Sequence, residues 1–138
     1  MTTDREFIEA FEAKRWPLEK WRHRDHLRLA YLYLMAHGFD GALERLRSGI
    51  RAHNDAHGVV DSPTDGYHDT MTGAWLTLVK LVVDEYGPSA DGEAFCDDHP
   101  ELSQKKVLRL YYSKERFMSA EAKRSFLAPD LSAFPARG

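Results

Sequence analysis

The sequence predicts an all-α fold, a single-domain antiparallel bundle of four to five main helices with an extended C-terminal tail. Three observations predict it. Apolar residues recur every three or four positions, turn-forming residues cut the chain into helix-length segments, and no stretch sustains period-two alternation. The whole chain, residues 1–138, is the size of one domain, and its 43% apolar content is enough for one core.

Taken in order, Thr3 is placed to cap a first helix over residues 4–14, with Phe7, Ile8 and Phe11 on one face and Pro17 ending it. Trp16, Leu18 and Trp21 form an apolar connector. The second helix spans 23–37, with Leu27, Ala30, Tyr31 and Leu34 facing inward and Gly38 as its stop. A third starts after Asp40 as N-cap and runs to His57, where Gly58 closes it; its stripe Leu43, Leu46, Ile50 ends in His53 and His57. The polar turn before Gly66 offers Thr64 or Asp65 as cap for a fourth helix, 66–86, stopped by Gly87 and Pro88. His68, Trp75 and Val82 share its buried stripe, which points His68 inward. A short helix over 91–97, another from Pro100 through Tyr111 and a last one capped by Ser119 to Leu127 complete the set. Pro129, Leu131, Phe134 and Pro135 predict a tail laid over the helices.

Charge narrows the function. A formal net charge of −3 lacks the basic footprint of a nucleic-acid binder. No apolar run is long enough for a membrane span, and the N-terminus is not that of a signal peptide, so the expectation is a cytoplasmic protein with a small-molecule substrate, monomeric or homodimeric. The single cysteine, Cys96, excludes an internal disulfide and a CxxC zinc site; it reads as a small buried hydrophobe. Any metal must then rely on nitrogen and oxygen ligands.

Histidine supplies them. His23 and His26 are three residues apart on one helical face, and His68 opens another helix. If helices two, three and four pack as antiparallel neighbours, His23, His26, His53, His57 and His68 gather at one end. Asp25, Asn54, Asp69, Thr70 and Thr72 come close enough to ligate or orient them. His53 and His57 also suit helix-end residues beside the C-terminal dipole. Tyr67 and Trp21, next to these histidines in sequence, suit the walls of a small-ligand pocket. Lys105, Lys106, Arg109, Lys114, Arg116, Lys123 and Arg124 read as solvated surface, with Arg109 or Arg116 the candidates for gripping a substrate carboxylate.

Trp21-Arg22-His23-Arg24-Asp25-His26-Leu27, Gly66-Tyr67-His68-Asp69-Thr70-Met71-Thr72 with Trp75, Tyr111-Tyr112-Ser113 and Pro129-Asp130-Leu131 together resemble an uncharacterised family of small bacterial all-helical proteins. The resemblance covers nearly the whole chain. It implies His23, His26 and His68 as signature histidines, leaves out His53 and His57, and supplies no activity.

The expectation from the residues is a small-molecule enzyme in which His23, His26 and His68 bind a divalent transition metal (iron, copper or zinc), with Asp25 or Asp69 ligating or orienting. Three imidazoles leave a coordination position open for oxidation or hydrolysis. Two alternatives stay open. One is metal-free acid/base catalysis with His68 as base and Tyr67 or Thr72 holding substrate; the other is a helical binding or interaction module without enzymatic activity.

Overall fold

The computed structural model describes residues 2–135. It is all-helical: 67% of the chain is helix and no strand occurs among the described residues. Helix α1 (Asp4–Glu12) starts in a reciprocal cap, with the Thr3 hydroxyl accepting from Glu6 N at 3.1 Å and Glu6 Oε1 accepting from Thr3 N at 3.0 Å. It ends earlier than Pro17 implied. The backbone turns at Lys14, which has φ +62°, and a 3-10 segment (Leu18–Lys20) carries the chain to the next helix.

Helix α2 (His23–Ala56) is continuous in hydrogen bonding but not in direction, because Gly38 adopts φ +75° and ψ 179°. In a straight helix Cα atoms of residues 26 and 50 would be about 36 Å apart. Here His26 and Ala30 line the same cavity as Leu46 and Ile50, so the arms 23–37 and 39–56 fold back on each other. Gly38 therefore stops the second helix, as expected, but the next arm resumes directly instead of starting at an Asp40 cap. It ends at Ala56, followed by Gly58 with φ +71°.

Helix α3 (Asp69–Tyr86) begins three residues later than expected, and its cap is neither Thr64 nor Asp65. The His68 ring caps it, Nδ1 accepting from Met71 N at 2.9 Å. Asp91 caps α4 (Gly92–Asp98). The helix expected from Pro100 to Tyr111 is instead two 3-10 segments, Pro100–Ser103 and Lys105–Leu110, followed by α5 (Lys114–Phe117), which the sequence pattern did not reveal. Ser119 caps α6 (Ala120–Arg124), shorter than expected.

Packing centres on α2, which contacts α1, α3 and α4. Phe7 and Phe11 of α1 are fully buried, and Phe11 reaches its place because Gly49 has no side chain: a Cβ there would lie 2.9 Å from the Phe11 ring. Arg28, only 4% exposed, donates to Asp4 Oδ1 at 3.1 Å and Thr2 O at 2.9 Å, while Asp4 Oδ2 accepts from Gly92 N at 2.9 Å. One buried guanidinium thus ties three helices, its charge met by a carboxylate.

The tail follows the helices as expected. Ser113 N and Oγ donate to Asp130, Leu131 N donates to Tyr111 O at 2.9 Å, and Phe134 packs 4.7 Å from Tyr111. Leu131 is the exception; its side chain stays exposed. Cys96 is buried, as expected, and burial pushes its thiol up to about 11. Among the described residues no helix is long and apolar enough to cross a membrane.

Gly38 should not tolerate a side chain, since its backbone conformation is one that essentially only glycine adopts. Gly38→Ala is expected to lower unfolding free energy by about 1–3 kcal/mol in urea titrations followed by circular dichroism. An unchanged midpoint would mean that the turn relaxes into another conformation.

Candidate functional site

A cavity of about 620 Å³ opens where the start of α2, the second arm of α2, the start of α3 and the segment 117–119 meet. His23, His26, His68, Tyr67 and Thr72 all line it, whereas Asp25 and Asp69 do not. Trp21 and Trp75 form walls, the first 4.0 Å from the His26 ring and the second 4.5 Å from His23, centroid to centroid.

The histidines differ in what remains free. His68 is fully engaged: besides capping α3 through Nδ1, it donates from Nε2 to Phe117 O at 2.9 Å, which fixes a neutral tautomer with no unused nitrogen. His23 donates from Nε2 to Leu102 O at 2.9 Å and keeps one lone pair, on Nδ1. The His26 ring makes no hydrogen bond with the described residues; its contact is with Trp21. Burial lowers the proton affinity of all three, and His23, Lys105 and His53 add to it at His26, pushing that ring down to about 3.

His53 and His57 belong to the same neighbourhood but not to the cavity. His53, fully buried, packs 5.2 Å from Phe11 and 5.4 Å from Trp21 and bonds Trp16 O at 2.8 Å; His57, 4.3 Å from it, bonds Lys14 O at 3.1 Å. Both are anchors for the connector after α1. His53 Nδ1 has no hydrogen-bond partner among the described residues. His99, ahead of Pro100, is buried against Phe95 at 5.0 Å.

The carboxylates expected as ligands have other partners. Asp69, 4% exposed, receives Arg47 Nε at 2.8 Å, Arg47 Nη2 at 3.1 Å and the Tyr67 hydroxyl at 2.7 Å. Burial works against its charge, but the Arg47 and Tyr67 bonds outweigh that and hold the carboxyl below its ordinary range. Tyr67 is correspondingly harder to ionise, through burial first and then its bond to Asp69. Asp25 accepts from Arg22 N at 3.1 Å at the start of α2, and burial raises its pKa. Thr72 returns its hydroxyl to His68 O at 2.9 Å. Among the described residues no three His, Cys, Asp or Glu side chains converge as a ready ligand set.

Two lysines assigned to solvated surface, Lys105 and Lys123, line the cavity. Lys123 is paired with Asp61 and also donates to Tyr67 O at 2.8 Å. Of the two arginine candidates for a substrate carboxylate, neither lines the cavity; Arg116 donates to Ala128 O at 2.7 Å and holds the tail. Phe117, Met118 and Ser119 were missed because no apolar period marks them. The adjacent Ser caps were the available signal of a tight turn there.

Compared with protein-family models, curated proteins and solved structures, the chain matches none.

His23, His26, His53 and His68 all have folded-state proton affinities below the ordinary imidazole value near 6.5. Below about pH 6.5 the unfolded chain binds more protons than the folded one, so stability present at neutral pH is lost as pH falls. Urea midpoints measured from pH 8 to pH 4.5 should be flat above that value and decline below it. By NMR the His26 ring should show no titration down to pH 5; an inflection near 6.5 would contradict its burial.

Proposed function

We propose that the chain is a small-molecule enzyme whose substrate occupies the 620 Å³ cavity, with His26 as the proton-accepting group. One observation carries this reading: His26 is the cavity imidazole whose two ring nitrogens are both without a hydrogen bond to the described residues, and burial keeps it neutral. A neutral imidazole offers one acceptor and one donor, the equipment of a general base that later returns the proton. Trp21 holds the ring from one side, and His23, His68 and Tyr67 shape the walls while remaining tied to backbone or carboxylate. The unit performing this role is read as one antiparallel bundle over the chain, monomeric or homodimeric.

This assigns the base to His26 instead of His68, because acceptance at His68 requires breaking either the α3 cap or the bond to Phe117 O. A second reading is metal-assisted chemistry with iron, copper or zinc at His23 and His26. It is favoured by the His23 Nε2–H bond to a backbone carbonyl, the arrangement that orients a metal-binding imidazole. His68 would join only after giving up one of its bonds.

Diethyl pyrocarbonate, which acylates neutral accessible imidazoles, tests the first reading. His26 should be modified at pH 6, His53 should not, and saturating 2-naphthol, a flat neutral occupant, should protect His26. An unreactive His26, or one that 2-naphthol fails to protect, would sink the base assignment. Elemental analysis of untagged protein and of a His23→Ala/His26→Ala variant separates the second reading: near one equivalent of metal, lost in the variant, would favour it.

A further inference from the structure

We propose that the cavity takes a flat aromatic anion, its apolar body against Trp21, Trp75 and Phe117 and its carboxylate or phosphate on Lys105 at the rim. The inference rests on the small-molecule reading of the cavity and specifies the ligand's charge and shape.

Charge placement carries the argument. The chain holds 22 acidic residues against 19 lysines and arginines, yet no Asp or Glu lines this cavity. Among the described residues its charged lining is entirely cationic: Arg22, Lys105 and Lys123. Lys123 is already answered by Asp61. Arg22 spends Nε on Glu19 O at 3.4 Å and has no ion pair among the described residues, and Lys105 is in the same position. Lys105 is the better placed of the two, because its charge is felt at both His23 and His26. A cationic ligand would find no counter-charge here, and burial disfavours the charged form of both nearest imidazoles; His26, with no hydrogen bond to the described residues, can donate to the anion, whereas His23 has its one N–H on Leu102 O.

Shape points to a flat body. Trp75 is 8% exposed and its ring lies at 61° to His23, while Trp21 is tilted by 31° against His26, so indole and imidazole surfaces bound the space. The adjoining cavity of about 350 Å³, which shares Asn54, Tyr67 and Lys123 with the first, carries Asp55 and Asp61 in its lining and lacks that one-signed character.

Calorimetric titration of the full chain at pH 7 with 2-naphthol, 2-naphthoate and 2-naphthyl phosphate tests the inference, since the three share one ring system and differ in head group. Both anions, or one of them, should bind about tenfold more tightly than 2-naphthol, the increment of one charge-assisted hydrogen bond. Which anion leads identifies the head group. Lys105→Gln should abolish the preference and leave 2-naphthol binding unchanged, Lys105→Arg should retain it, and Lys106→Gln, exposed and outside the cavity, should have no effect. Equal affinities for all three compounds, or a preference that survives Lys105→Gln, would overturn the anion assignment while leaving the cavity a small-molecule site. No binding by any of the three would overturn the cavity reading itself.

Discussion

Carbonyl groups on irregular backbone need donors, and in this protein imidazoles supply several of them. His23 serves Leu102, His53 serves Trp16, His57 serves Lys14 and His68 serves Phe117, each across at least 37 residues of sequence. Every one of these bonds joins a helix end or its flank to a connector or short-helix terminus. The walls of the cavity are built largely from those connected pieces, so its shape depends on rings that must stay in one tautomer. At His23, His53 and His68 burial, which disfavours the imidazolium form, suits that duty: a neutral ring needs no counter-ion in the interior.

A second constraint sets the start of α3. Arg47, Asp69 and Tyr67 form a part-buried group in which every carboxylate oxygen is met, so the desolvation cost of the ion pair is offset by three hydrogen bonds. Geometry is its main return. With Asp69 fixed against the second arm of α2, the residues just before it can only enter the helix by one route, which delivers Tyr67 to the cavity wall and His68 to the cap. The same carboxylate that sequence spacing offers as a ligand thus works as a positioning group, acting through its neighbours.

The helices were legible where periodicity and a breaker agreed. Thr3, Gly38, Asp91 and Ser119 marked real boundaries because each works through its own side chain or its own backbone freedom, which a sequence displays directly. Residues 100–110 were not legible: a run such as Val107-Leu108 followed by Leu110 fits an α-helix and a 3-10 path equally, and the choice is made by what it packs on. The gathering of His23, His26 and His68 was legible through helix spacing and short connections, and the structure does bring them to one cavity. What spacing cannot show is which nitrogen is already spent. A bond from His68 to Phe117 O spans 49 residues and leaves no local trace, so an engaged imidazole and a free one look alike in sequence. The roles of Lys105 and Lys123 were hidden for the same reason.

The contrast between His26 and its neighbours bears on how a site in this fold can work. Burial lowers the proton affinity of His26, and the charges of its neighbours, Lys105 among them, lower it further. On the proposed reading, an anion arriving at Lys105 offsets that charge, and through this contribution the bound anion and a protonated His26 would favour each other. Through that contribution the occupied site would hold the stronger base, next to the molecule that supplies the proton. The coupling needs no moving part, since it follows from a cation, a buried imidazole and an acid-free lining sharing one space. On the same reading the neighbouring imidazoles, held by carbonyls, would shape that space without entering the proton transfer.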